Sequence, residues 1–391
     1  LELGRRYGTR PPDAYLDYRE RNPQAFEFSR GLRRRNPSLR VDALRPEVFG
    51  VRADAGSAAA GSPTRSIGPR DREVAGAFTF PLVLGYFADD ATPPPFNVAQ
   101  IQREFFDGPN SRLQTIPEYY DEISGGRVQL QGVTFDWQQS GLTRAEVARG
   151  VAGLAGSGVG PFIHTLLASL DDGSIDWGAF DNDGPDGLPN SGDDDGFVDV
   201  LTVFHPTAGA ECSGRRDRIW SHRWTLTSAG LSARSELRAF ETSTPAAGGG
   251  SIMIDDYTIQ PVYSCDGIEI NEIGVFAHEL GHGFGLPDLY CTAGGCGSAG
   301  IGRWGLMGSG SWGCGTLDPA RPCHMSAWSK AMLGWVDVVT LPPNGAGAGS
   351  AAAREVTLAP VQETGTVLRI DALDGSGDFL LLENRQRSGS D

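Results

Sequence analysis

HELGHGFGLPDLY, residues 278–290, follows EINEIGVFA and packs two histidines, two carboxylates, three glycines and a proline into thirteen positions. Ile270, Ile273, Val275 and Phe276 are spaced as on a helix sunk into a core, with no break expected before Gly285. His278 and His282, four residues apart, then lie on one face of that helix, one turn from each other, within reach of one small cation. With Glu279 beside them the pattern is HExxH, in which two imidazoles hold zinc and the glutamate serves as general base towards water at the metal.

A catalytic zinc usually takes three protein ligands and leaves its fourth position open. Gly285 lets the chain leave the helix sharply, Pro287 prevents the helix from resuming, and Asp288 arrives as the third ligand. HExxHxxGxxD reads as a metzincin-type site with aspartate where a third histidine is more usual. Such sites rest on a tight turn carrying a methionine, and Met307 in RWGLMGSGSWG, residues 303–313, is the candidate. Tyr290 and His222 are the candidates for transition-state support, whereas nothing near His164, His205 or His324 completes a ligand set.

A second acidic motif precedes this one. In DNDGPDGLPNSGDDDGFVDV, residues 181–200, carboxylates alternate with glycine and no apolar face exists. Asp181, Asp183, Asp186, Asp193, Asp195 and Asp199 are spaced to aim oxygens at one hard cation, and calcium prefers six to eight such ligands. The spacing is not that of an EF-hand, but so many carboxylates without cationic partners repel one another unless an ion binds.

The chain of 391 residues predicts two or three domains. Residues 1–72 carry fifteen arginines and nine acidic residues, a local charge of +6, so the remainder carries −22 of the total −16. That arm lacks the aromatic interleaving of a nucleic-acid binder and the basic amphipathic helix of a membrane binder, and is read as a pro-segment and linker docking on its own catalytic domain as an intramolecular inhibitor. The catalytic domain is expected over 73–340, and the opening of a β-rich domain without further helix over 341–391, with REVTLAP, TVLRI and DFLLLENRQ as strands. The longest apolar run, FPLVLGYF, is far below the ~18 residues that cross a bilayer. Six cysteines, at 212, 265, 291, 296, 314 and 323, all follow residue 200 without a CxxC pair and suggest disulfides in an oxidising compartment. Cys291 with Cys296, Cys314 with Cys323 and Cys212 with Cys265 are plausible partners among fifteen possible pairings.

Further elements follow from local pattern. AFTFPLVLGYFAD reads as a buried strand, NVAQIQREFF, IPEYYDEISGG, TRAEVARGVAGLAG, PFIHTLLASL and SAWSKAMLGW as helices, and RVQLQGVTFDW and FVDVLTVFHP as strands. SIMIDDYTI is expected as a strand bordering the cleft, where an extended substrate pairs with a sheet edge.

GVFAHELGHGFGLPDLY, WGLMGSGSW and the acidic loop ending in GFVDV resemble the M6 family of secreted bacterial metalloproteases, the immune inhibitor A family, and the likeness extends over roughly residues 75–390. The resemblance implies an α/β (α+β) metzincin-like catalytic domain with a twisted mixed sheet and an active-site helix. It implies a secreted zinc metalloendopeptidase acting on proteins and peptides, with His278, His282 and Asp288 as zinc ligands, Glu279 as base, Met307 as turn methionine and calcium in the 181–199 loop. The chain departs from the family's pattern in LPNSG, inserted between the acidic halves of that loop, and in Cys291, where many relatives carry aspartate. The rival reading is a latent or inactive protease-fold protein working as a calcium-stabilised binding or adhesive protein, for which Glu279 has no use.

Overall fold

The computed structural model describes residues 73–108, 114–184, 186–233, 236–290, 299–314, 318–341, 356–371 and 379–391. The expected pro-segment over 1–72 and the Cys291–Cys296 pair lie outside the described residues.

The main sheet is mixed, with strand order β2-β1-β3-β7-β4: β1 (Gly76–Tyr86), β2 (Val128–Gln139), β3 (Leu201–Ala208) and β7 (Asp256–Tyr263) run parallel, and β4 (His222–Thr225) closes one edge antiparallel to β7. A twisted mixed sheet of this kind buries both faces. Phe78, Phe80, Leu82 and Leu84 of β1 alternate with Val83 and Phe87, sending one set into each of the two large cores. Pro81 cannot donate to a neighbouring strand, and pairing of β1 with β3 accordingly begins only at Leu82.

Helices cover both faces. Short helices α1 (Val98–Gln102) and α2 (Ile116–Ser124) serve the first core. Thr115 and Glu118 form a capping box that starts α2, and Gly125, at φ 65°, ends it. TRAEVARGVAGLAG yields only α3 (Arg144–Ala148), capped by Thr143 as its pattern predicts. Arg149 turns left-handed and the glycines behind it hold turns, so the longer expected helix is cut short. On the second face α4 (Val159–Leu170) packs through Phe162, Ile163 and Leu166, and α5 (Leu226–Ser232) follows β4.

SIMIDDYTI departs from expectation. It forms two strands, β6 (Ser251–Ile254), paired with β5 (Phe240–Pro245) in a small hairpin sheet, and β7, interior to the main sheet between β3 and β4. The break falls at Asp255, whose carboxylate accepts from Thr227 N while its carbonyl accepts from Leu226 N. The last strand on that side of the sheet is therefore β4, whose His222, Arg223 and Trp224 are buried.

Helix α6 (Ile273–Gly283) carries the HExxH pattern on the first core, and α7 (Ala327–Leu333) follows later on the same core. Ile270 lies ahead of α6, bridged to Tyr263. A second sheet, β10-β9-β8, comprises β8 (Asp337–Leu341), β9 (Thr366–Asp371) and β10 (Phe379–Leu382). The expected boundary at 340/341 falls inside β8, which pairs with β9 beyond it. Val338, Val367, Phe379 and Leu381 of this sheet pack against the first core. The stretch is not without helix, since α8 (Val361–Thr364) supplies one turn, and the described part of REVTLAP makes a single bridge, Pro360 to Asn384, rather than a strand. Among the described residues no helix is long and apolar enough to cross a membrane.

Candidate metal centre

Ile273, Phe276, Ala277 and Leu280 bury α6 in the first core, and Tyr120 OH donates to Ala277 O at 2.7 Å, fixing the helix against α2. The remaining face presents His278 and His282, whose ring centroids stand 4.9 Å apart. Phe284 caps α6, and Gly285, at φ 101°, turns the chain back, as its position after the helix predicts. Asp288 then meets both histidines, its Oδ1 lying 3.2 Å from His278 Nε2 and 3.2 Å from His282 Nε2.

Both imidazoles are oriented from behind. His278 Nδ1 donates to Leu306 O at 2.8 Å and His282 Nδ1 to Leu286 O at 2.7 Å, so each ring turns its Nε2 towards Asp288. One ligand atom from each of the three residues lies within 4.8 Å of the others. Two imidazole nitrogens and a carboxylate oxygen, converging from a helix and the turn behind it, fit a tetrahedral zinc with one position open. Burial lowers the basicity of His278, but its hydrogen bond to Asp288 and the nearby Glu279 charge outweigh this and lift it to about 9.

Glu279 is buried beside these groups, and its Oε2 has no hydrogen-bond partner among the described residues. Burial pushes its carboxyl up; His278 and His282 oppose, Asp288 and Glu211 add, and the result is about 7. Met307 is fully buried directly beneath α6: a Cβ at Gly281 would stand 2.5 Å from its sulfur. Leu289 N donates to Met307 O at 2.7 Å, tying the turn to the segment that carries Asp288.

His222 is buried with Trp224 and Tyr257; its Nδ1 donates to Trp220 O at 2.7 Å and its Nε2 lies 3.3 Å from Tyr257 OH, so both ring nitrogens have partners. Tyr290 is half-buried just past the return. His164 stacks edge-on against Phe240, His205 Nδ1 meets Thr207 Oγ1 at 3.1 Å, and His324 lies between Glu122 and Lys330.

In the acidic loop the structure brings Asp181, Asp183 and Asp199 together, each buried and each with an oxygen within 4.8 Å of the others. Asp181 Oδ2 accepts from Gly196 N at 3.0 Å and Asp199 Oδ2 from Asn182 N at 3.2 Å, while Asp181 Oδ1 and Asp199 Oδ1 have no donor among the described residues. Burial first, then mutual repulsion, pushes Asp181 up to about 8 and Asp199 well above the usual carboxylate range. Asp186, Asp193 and Asp195 do not join this group. They fold the loop instead: Asp186 accepts from Leu188 N, Asp195 from Phe197 N, and Asp193 from Ser191 Oγ and Asp186 N. Asp194, absent from the expected set, accepts from Gly184 N and Ser191 N.

The disulfides Cys212–Cys265 and Cys314–Cys323 are present as paired in expectation. Sequence reasoning did not find Leu306 O or Leu286 O, since a backbone carbonyl has no sequence signal. Nor did it find Glu211, a buried carboxylate accepting from Ser221 Oγ at 2.6 Å, whose charge reaches Glu279.

The chain is similar to Immune inhibitor A of Bacillus thuringiensis subsp. alesti, 29% identical over 245 residues, which is 59% of this chain and 34% of that protein. It is likewise similar to Pre-pro-metalloprotease PrtV of Vibrio cholerae serotype O1 (strain M66-2), 29% identical over 237 residues, 58% of this chain and 24% of that protein. The match thus spans about a third or less of these relatives' length. A family profile described as the immune inhibitor A peptidase M6 catalytic domain matches residues 96–336, more than half the chain and the whole of the His278–Met307 region. The chain belongs to the immune inhibitor A peptidase M6 family.

Proposed function

We propose that the chain is a secreted zinc endopeptidase, a reading carried by the convergence of His278, His282 and Asp288 beside the buried carboxylate of Glu279. His278, His282 and Asp288 hold the metal. When bound, zinc lowers the pKa of its water towards ~7 and polarises the scissile carbonyl. Glu279 accepts the proton of the attacking water at its unpartnered Oε2 and returns it to the leaving amine. The family match to a peptidase catalytic domain supports a protein or peptide substrate. The two disulfides support an oxidising, extracellular location.

Calcium is assigned to Asp181, Asp183 and Asp199. The support is that three buried carboxylates, with oxygens of Asp181 and Asp199 facing no donor, need either protons or a hard cation. Residues 1–72 are assigned to latency on their positive charge against an acidic remainder. Removing them should raise activity, and equal activity before and after removal contradicts that assignment.

The test of the main reading is digestion of unfolded casein by the purified chain, freed of residues 1–72, beside Glu279→Ala, with fragments identified by mass spectrometry. Cleavage that disappears in the variant and on zinc chelation supports the proposal. Chelator-resistant cleavage, or equal cleavage by Glu279→Ala, overturns it.

A further inference from the structure

Residues 383–391 close over the loop that carries Leu306 and Met307, and the closure is made with buried charge. Arg385 and Asp391 side chains are only 13% and 7% exposed. Arg385 Nε donates to Asp391 Oδ2 at 2.9 Å, its Nη2 pairs with Oδ1, and its Nη1 donates to the Trp304 carbonyl, two residues before Leu306. Asp391 Oδ1 also accepts from His324 N at 3.4 Å, and His324 O accepts from Leu306 N at 3.2 Å. One end of the 303–325 loop is thus held by Arg385, the returning end by Asp391, and they meet at Leu306, whose carbonyl orients His278.

Within the loop itself the brace is the Cys314–Cys323 disulfide, which closes after Leu306 and Met307. Gly302, Gly305, Gly308, Gly310 and Gly313 leave its backbone little intrinsic stiffness. His324 is itself gripped at both ring nitrogens, by Glu122 Oε1 at 2.8 Å and Lys330 Nζ at 2.9 Å, and Ser390 N donates to the same Glu122 oxygen at 2.7 Å. A buried arginine–carboxylate pair is a poor device for stability alone, because desolvation offsets most of its attraction. Its planar fork does fix geometry.

We propose that Arg385 and Asp391 are positioning residues for the metal centre, setting Trp304 and His324 on either side of Leu306 and, through Leu306, the orientation of His278. The proposal rests on the zinc reading above. It places the functional unit's end beyond residue 336, where the family match stops.

The test is titration of zinc against a competing chromophoric chelator into the metal-stripped full chain, as wild type, Arg385→Met, Asp391→Asn and the double variant. Cobalt(II) spectra of the same four proteins report ligand geometry. Loss of an outer contact to a metal ligand typically weakens binding 10- to 100-fold. The expected result is a loss of about tenfold in each single variant, a shifted cobalt band, an unchanged far-ultraviolet spectrum, and a double variant no worse than the weaker single. If Arg385→Met does not fold, the near-isosteric Asp391→Asn reads the same contact. Zinc affinity and cobalt band equal to wild type in the folded variants overturn the proposal. A wild type that takes up no zinc removes the zinc reading itself and the proposal with it.

Discussion

His278–His282–Asp288 and Asp181–Asp183–Asp199, two clusters among the described residues that involve no disulfide, each bring three metal-competent side chains within 4.8 Å, and they handle charge in opposite ways. The histidine cluster compensates itself: Asp288 lies against both imidazoles, and the pair can hold a proton between them. The aspartate cluster gathers like charges in a buried place, and Asp181 and Asp199 are driven towards the neutral form. Self-compensation lets the first cluster remain assembled while one coordination position stays open for chemistry. Without it, the proposed calcium reading makes the second a site whose stability would depend on what binds.

The comparison breaks hardest at Glu279, which belongs only to the first cluster. Glu279→Ala should lower kcat/KM about 10²- to 10⁴-fold while leaving zinc content unchanged, read by parallel kinetics and metal analysis. Loss of zinc together with activity would instead make Glu279 part of the metal's support. Next comes Asp288→Ala, which removes the compensating charge and a ligand. Zinc affinity should fall at least ~100-fold in a chelator competition, whereas the calcium dependence of thermal unfolding stays as in wild type.

Asp199→Asn sharpens the contrast because its sign depends on the ion. In calcium-free protein it relieves a buried carboxylate and should stabilise by about 1–3 kcal/mol; in calcium it removes a ligand and should destabilise. Urea unfolding with and without calcium reads both signs. The pH dependence follows from Asp181. Its folded carboxyl, at about 8, lies above its ordinary value, so the folded state holds a proton that the unfolded chain has released. Calcium-free stability should therefore fall as pH rises from about 4 to about 8, and the fall should vanish when calcium is bound. The smallest effect is expected from Met307→Leu, a volume-conserving change beneath α6 that should cost less than ~1.5 kcal/mol in thermal unfolding and weaken zinc only a fewfold.

The histidine cluster was legible in sequence because its parts are local. Ligands at 278, 282 and 288 share one helix and the glycine turn behind it, so spacing alone implies geometry. In the acidic loop spacing did not separate roles: Asp186 and Asp195 satisfy backbone N–H groups two residues on, a turn function, and only burial distinguishes them from Asp181 and Asp199. The sheet edge was misplaced because SIMIDDYTI alternates acceptably as one strand. The break at Asp255 depends on hydrogen bonds to Leu226 and Thr227, far away in sequence. Arg385 and Asp391 escaped notice for the same reason, since the network they join reaches Glu122, 268 residues from Ser390.

The most direct test of the two-cluster account is a crystal structure with anomalous differences measured on both sides of the zinc absorption edge. The account predicts a zinc peak bounded by His278 Nε2, His282 Nε2 and Asp288, and at Asp181–Asp183–Asp199 an ion without zinc's edge signal and with ligand distances of about 2.3–2.6 Å. A zinc peak among the aspartates with none at the histidines would contradict it.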